Sequence, residues 1–348
     1  EMLIAAAVVF FIPVMINATM GAINDKYEFS RCWNDAVGVD NNVSYIPIDE
    51  KERHSISEDS DAYEKGVPKV SSTKLNSIDV KEIPDSVLQK HGSHSDLSVL
   101  IVSDEGNVVA EKNPDILREG GSTAKVFTGF GAVKLLDPAS DIVVSTKYAQ
   151  NMPYMGTPDV KVGQKFSVSQ AATRDFPGSS NITTANIAIA IGKKYYNVSS
   201  DEEAYNNGLD KINELIKETG CSKTILPSSS GVNYNYKTKK WTGNKNGIST
   251  GMYGITASDL GLITINAMKD ENFSKGINYG KNGICSPPDK NSFFIKSGTQ
   301  AYCHGVWGFN YNNKRYYVVI LGVNCKNSGD NKCKIFNDIY EWSKSILL

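Results

Sequence analysis

No CxxC pair occurs anywhere in this 348-residue chain, so a zinc or dithiol redox site has little support. Basic charge is not in excess either. The 37 Lys and Arg against 38 Asp and Glu leave a net charge of -1, which argues against a general nucleic-acid binder. No internal repeat recurs at a fixed period. Long apolar runs are limited to Met2–Ile16, which no Lys or Arg precedes and which Pro13 interrupts. That run is short for a spanning helix of roughly 20 residues. It reads as a secretory signal or a short membrane anchor over residues 1–22, with cleavage candidates after Ala18 and Ala22. Opening on Glu1 with no positive residues ahead of the run, the chain reads as trimmed at its start.

Six cysteines are present: Cys32, Cys221, Cys285, Cys303, Cys325 and Cys333. An even count in an exported chain points to disulfides, with Cys325 and Cys333 close enough to staple a turn. Connectivity is otherwise open. A hydrophobic content of 40% is enough for a real core. Residues 23–83 are polar, with an acidic run from Asp49 to Glu64 and a Ser-rich patch near Ser71, and read as a linker or stalk. Trp33, Tyr45 and Ile46 are its candidates for docking. The compact domain is expected over residues 84–348.

Within that domain Leu97–Val102 and Val108–Ala110 read as a hairpin turning at Asp104-Glu105-Gly106-Asn107. Val126, Phe127, Phe130, Val133 and Leu136 then recur at helical spacing up to Pro138. Residues 142–176 read as short strands and loops, and Thr183–Ile191 as a small-residue helix. Ser200–Glu203 and Thr256–Asp259 are capping boxes, the first opening a helix stopped by Gly220 and the second one running to Met268. Phe293–Gly298 and Arg315–Val323 read as strands. Ile335, Ile339, Trp342 and Ile346 mark one side of a last helix. Helices between an early hairpin and late strands predict an α+β fold, with one antiparallel sheet assembled from both ends of the domain.

Gly120-Gly121-Ser122-Thr123-Ala124-Lys125 carries the clearest chemistry. Ser122 and Lys125, three apart at a helix mouth, share a face, so the amine reaches the hydroxyl: a nucleophile beside its base. The helix N-terminus favours developing negative charge. A second Ser-x-x-Lys, Ser71–Lys74, is followed by no helical pattern and reads as linker. Ser-x-Asn occurs once, at Ser179 and Asn181, and Lys-[Ser/Thr]-Gly once, at Lys296–Gly298, 57 and 174 positions after Ser122. His91 and His94 read as surface residues, His304 is given no role, and Trp307 and Phe309 read as core or cleft lining.

The order of these three motifs is that of penicillin-binding proteins and serine β-lactamases. From about Pro84 to Leu348 the chain resembles the low-molecular-mass D-alanyl-D-alanine carboxypeptidases of that superfamily. The resemblance extends to Arg118-Glu119-Gly120-Gly121-Ser122, to Ile248–Ile263, and to the closing strand and helix. It implies a β-lactamase-like fold, an antiparallel sheet flanked by helices plus a mostly helical subdomain. It also implies an extracytoplasmic enzyme of the bacterial cell wall that uses no cofactor and meets the membrane through its N-terminal segment. Ser122 would attack the carbonyl of a D-Ala-D-Ala end on a peptidoglycan pentapeptide, or of a β-lactam inhibitor, and Lys125, held neutral, would take its proton. Ser179 and Asn181 would relay the proton to the leaving amine and hold the substrate amide. Lys296 would supply positive potential, while Ser297, Gly298 and Thr299 line the substrate's carboxylate. The N–H groups of Ser122 and Thr299 would form the oxyanion hole. In three places the chain departs from the family: Ser297 stands where Thr is commoner, no Arg follows the last strand at Leu321-Gly322-Val323-Asn324, and Ala171–Pro177 differs from the usual leucine-rich helix. The alternatives are a β-lactamase or transpeptidase of the same superfamily, or a non-catalytic cell-wall or β-lactam-binding protein that keeps the fold; no clear Glu-x-x-Leu-Asn lies between the first two motifs, which disfavours a class A β-lactamase.

Overall fold

The computed structural model describes residues 73–88, 97–245, 248–277, 288–300, 302–324 and 330–347. Residues 1–22, nearly all of the polar stretch after them, His91, His94, Cys32, Cys285 and Cys325 lie outside that set.

Burial on both faces organises the central sheet, whose longer strands are covered along nearly their whole length. Strands β1 (Lys81–Glu82), β2 (Ser98–Ser103) and β3 (Val108–Lys112) come from the front of the domain. From its end come β4 (Ser292–Thr299), β5 (Tyr302–Tyr311) and β6 (Lys314–Asn324). Their spatial order is β1-β3-β2-β6-β5-β4. The two ends of the chain meet at the β2–β6 seam, where Leu100 pairs with Val319 and Ile101 with Val318. All ladders are antiparallel except β1–β3, which is parallel. Ahead of Pro84, residues 73–83 already lie along the sheet edge, Asn76 donating its backbone N–H to the Gly106 carbonyl at 2.8 Å.

Successive side chains point to opposite faces of a strand, so the central strands β2 and β6 feed two cores. Leu100, Val102, Val319 and Leu321 join the larger one, shared with the helices. Val99, Ile101, Val318 and Ile320 join the second, beneath the terminal helix. The longer helices are α1 (Lys125–Leu135), α2 (Val168–Gly178), α3 (Asn181–Tyr195), α4 (Asp201–Glu218), α5 (Ala257–Met268) and α6 (Asp330–Ile346). Ile335 and Ile339 of α6 are fully buried, and Phe336 stacks on Trp307 with centroids 4.7 Å apart. Trp307 and Phe309 are therefore core. Both helix N-caps form, Ser200 Oγ accepting from Glu203 N–H and Thr256 Oγ from Asp259 N–H, each at 3.1 Å. At Thr256 the reciprocal half of the box is absent, since its N–H donates to Thr224 Oγ and the Asp259 carboxylate accepts from the Ser222, Lys223 and Thr224 amides.

Two long elements and the short helix Lys147–Asn151 depart from the sequence reading. Residues 168–178 form a helix rather than loop; it buries Val168, Ala171 and Ala172, residues too small for their spacing to stand out. Tyr302–Tyr311 is a full strand whose alternation is broken by His304, Gly305 and Gly308. Cys221, expected among paired cysteines, is a free thiol, buried so deeply that its pKa is pushed up.

The helical subdomain hinges on a backbone-to-backbone crossing. A Cβ on Gly208 would stand 1.8 Å from the Ala188 carbonyl oxygen, and one on Gly192 would stand 1.9 Å from that of Ala204. Only hydrogen fits at both places. The crossing fixes α3, and with it Asn181 at the helix's first turn.

Candidate active site

Ser122 lies on a 3₁₀ turn, Gly121–Ala124, that runs directly into α1. Thr123 Oγ closes this turn by donating to the Gly120 carbonyl at 2.6 Å. One turn on, Lys125 is wholly buried and its Nζ donates to Ser122 Oγ at 2.7 Å. That amine also reaches Asn181 Oδ1 at 2.7 Å, Ser179 Oγ at 3.3 Å and the Ser230 carbonyl at 3.3 Å.

The second motif owes its shape to its middle residue. Ser180 is the N-cap of α3, its Oγ accepting from Thr183 N–H at 3.2 Å and donating to Asp159 at 2.7 Å. With the cap taken by Ser180, the side chains of Ser179 and Asn181 turn into the cleft. Ser179 does so from a left-handed backbone, φ 56°, a conformation that is strained for any residue with a Cβ and concentrates at functional sites.

The third motif arrives on the edge strand β4. Lys296, also wholly buried, donates to Ser179 Oγ at 3.1 Å and to its neighbour's carbonyl, Ser297 O, at 2.8 Å. Gly298 abuts the nucleophile turn: a Cβ there would stand 2.9 Å from Ser122 N and 2.7 Å from the Gly120 carbonyl. A Cβ on Gly121 would stand 3.1 Å from Thr299 N. The amide nitrogens of Ser122 and Thr299 thus border one narrow gap. Ser297 is buried, and Thr299 Oγ lies 3.9 Å from Cys303 Sγ.

Five side chains from three distant stretches, Ser122, Lys125, Ser179, Asn181 and Lys296, therefore meet. Among the described residues no cluster of three His, Cys, Asp or Glu offers a metal site. Backbone carbonyls complete the floor: Thr128 Oγ donates to Ser229 O at 2.6 Å, pinning the loop that brings Ser230 O to Lys125. Sequence gave no signal for those carbonyls, since any residue type supplies one. It also left Glu119 and His304 without roles, although both are buried and His304 lies against Gly121.

No protein-family model and no curated protein matches this chain. Solved structures do. A variant of the Streptomyces K15 DD-transpeptidase superposes with a TM-score of 0.53 at 17% identity, over 70% of this chain and 97% of that one. A peptidoglycan synthesis regulatory factor, PBP3, from Streptococcus pneumoniae gives 0.54 at 17% identity, over 71% and 73%. The D-alanyl-D-alanine carboxypeptidase from Mycobacterium tuberculosis gives 0.51 at 17% identity, over 70% and 90%. The chain has the penicillin-binding DD-peptidase fold. In that fold the sheet, the helical subdomain and the cleft between them account for the layers described above.

Proposed function

We propose that this protein is a serine D-alanyl-D-alanine carboxypeptidase that acts outside the cell on peptidoglycan stem peptides and is inhibited by β-lactams. One observation carries the reading: Lys125 Nζ is bonded at once to the Ser122 hydroxyl and to Asn181, while Lys296 approaches through Ser179. Ser122 Oγ attacks the carbonyl carbon of the D-Ala-D-Ala bond, and its proton passes to uncharged Lys125. Two ammonium groups on one hydroxyl repel each other, which supports the uncharged form of one amine. Backbone N–H groups of Ser122 and Thr299 hold the oxyanion, each worth on the order of 3 kcal/mol. Collapse breaks the C–N bond, the leaving amine takes a proton through Ser179, and water then hydrolyses the ester on Ser122. In this reading Asn181 holds the substrate amide, and Lys296, Ser297, Gly298 and Thr299 receive the terminal carboxylate in place of an arginine.

The DD-transpeptidase, the peptidoglycan synthesis regulatory factor PBP3 and the D-alanyl-D-alanine carboxypeptidase named above support the superfamily; transfer of the acyl group to an amine, or hydrolysis of β-lactams, is the neighbouring chemistry. No helix among the described residues is long and apolar enough to cross a membrane. Residues 1–22 are the segment we assign to export or anchoring, and residues 23–72 the linker, because residues 73–83 lie along the sheet edge. Labelled penicillin should acylate the wild type and Ser71→Ala but not Ser122→Ala; labelling of Ser122→Ala would remove this reading. Release of D-alanine from a pentapeptide, set against hydrolysis of a chromogenic β-lactam, then separates carboxypeptidase from β-lactamase.

A further inference from the structure

Behind the gap between Gly298 and Ser122 lies a polar cluster that the reaction above leaves unused. Glu119 is 3% exposed and His304 is fully buried. Glu119 Oε1 accepts from the backbone N–H of Tyr302 at 3.0 Å and faces His304 Nε2 at 3.8 Å. Its other oxygen accepts from Asn233 Nδ2 at 3.2 Å. His304 is oriented in turn by the bulge it occupies between β5 and β6, where its Nδ1 accepts from Gly322 N–H at 3.2 Å. This bond assigns the ring proton to Nε2, on the side of Glu119. The imidazole then lies under the nucleophile turn: a Cβ on Gly121 would stand 3.4 Å from its Cδ2.

The partners of Glu119 belong to separate walls of the cleft. Tyr302 opens β5 three residues after Thr299. Asn233 closes the loop whose Ser230 carbonyl meets Lys125. Glu119 itself precedes Gly120-Gly121-Ser122. We propose that Glu119 is a positioning residue whose carboxylate ties these three walls together and so sets the spacing of the Ser122 and Thr299 amides around the oxyanion. This role rests on the acyltransferase reading. Hydrogen bonds to an ionised acceptor are about twice as strong as neutral ones, which suits a carboxylate to a tie between chain segments. Donors aimed at the oxyanion act on the transition state rather than on the bound ground state. Loosening the tie therefore slows acylation more than it weakens binding.

The test uses the full chain and a fluorescent penicillin, with acylation followed over a concentration series. Such a series separates the dissociation constant of the first complex from the acylation rate constant. Glu119→Gln keeps the shape and loses the charge, and its acylation rate constant should fall about tenfold; Glu119→Ala should fall about a hundredfold, as for loss of one oxyanion donor. In both, the dissociation constant should stay within about twofold, the signature of an effect confined to the transition state. Asn233→Ala, which removes one tie of the set, should fall less than Glu119→Ala. Wild-type acylation rates in the Gln variant, or binding and rate falling in proportion, overturn the role; should Glu119→Ala not fold, the Gln and Asn233 variants decide. A wild type that penicillin never acylates overturns the acyltransferase reading itself and this role with it, whereas normal wild-type acylation with an indifferent Glu119→Gln removes the positioning role alone.

Discussion

Lys296 Nζ lies 3.1 Å from Ser179 Oγ, the same hydroxyl that Lys125 Nζ approaches at 3.3 Å. One small side chain thus bridges two buried amines, held there by a left-handed backbone at φ 56°. Ser179→Ala keeps that backbone and removes the bridge. Its turnover on pentapeptide should fall on the order of 10²–10⁴-fold, the usual loss for a proton-transfer group. Ser179→Gly removes the bridge and relieves the strain, so it should be more stable than Ser179→Ala by about 1 kcal/mol while equally inactive. Denaturant melts of the two variants beside D-alanine release check this; a Gly variant less stable than the Ala variant would contradict the strain.

Ser180 has a different task from its neighbours on either side. It caps α3 and bonds Asp159. Ser180→Ala should cost about 1 kcal/mol or somewhat more in stability. Its effect on turnover should be well below that of Ser179→Ala, because no amine of the site touches it. A Ser180→Ala variant as inactive as Ser179→Ala would show that the cap, rather than the bridge, sets the activity.

The parts of this fold legible in the sequence are those where one side chain decides the outcome. Ser200 and Thr256 each announce a helix start by a capping box, and both helices begin there. Lys125 falls one turn after Ser122, so their meeting needs only helical geometry. The elements that stayed hidden are fixed by distant partners. Residues 168–178 become a helix because Ala171 and Ala172 fit beneath α1, and Tyr302–Tyr311 becomes a strand because β4 and β6 flank it. The same limit applies at the site. Lys125 and Lys296 are far apart in the chain, and only the folded sheet edge brings both to the Ser179 hydroxyl. Glu119 and His304 show no local pattern, since their partners are a backbone amide, an asparagine and a bulge.

Gly208 tests the crossing that anchors α3. A Cβ there would stand 1.8 Å from the Ala188 carbonyl oxygen, which is backbone and cannot turn aside. Gly208→Val should destabilise the protein by about 3 kcal/mol or more, the upper end for overpacking. Gly156, where a Cβ would meet nothing within 4 Å, is the control: its φ of 81° still disfavours a side chain, so Gly156→Ala should cost only about 1 kcal/mol. Equal melting temperatures for the two variants would mean that the helices separate readily at the crossing.

Alkaline pH provides the last test, because one buried phenol holds the loop that carries Ser230 and another packs beside it. Tyr205 OH accepts from Ser229 N–H at 3.2 Å, and Tyr236 OH donates to the Pro153 carbonyl at 2.6 Å. Burial pushes both hydroxyls well above the usual phenol range, and it pushes Tyr148 up to about 12. A phenol whose pKa is higher in the folded than in the unfolded state contributes stability that is complete below about pH 10 and is lost as pH rises further. Exposed tyrosines should therefore ionise reversibly near pH ~10, and the remaining phenolate absorbance should appear only together with loss of near-UV dichroism. Tyr236→Phe should lower the amplitude of that second phase and leave the first unchanged. If the variant instead lowers the reversible first phase, Tyr236 titrates in the folded protein, and its contact with the Pro153 carbonyl is open to solvent.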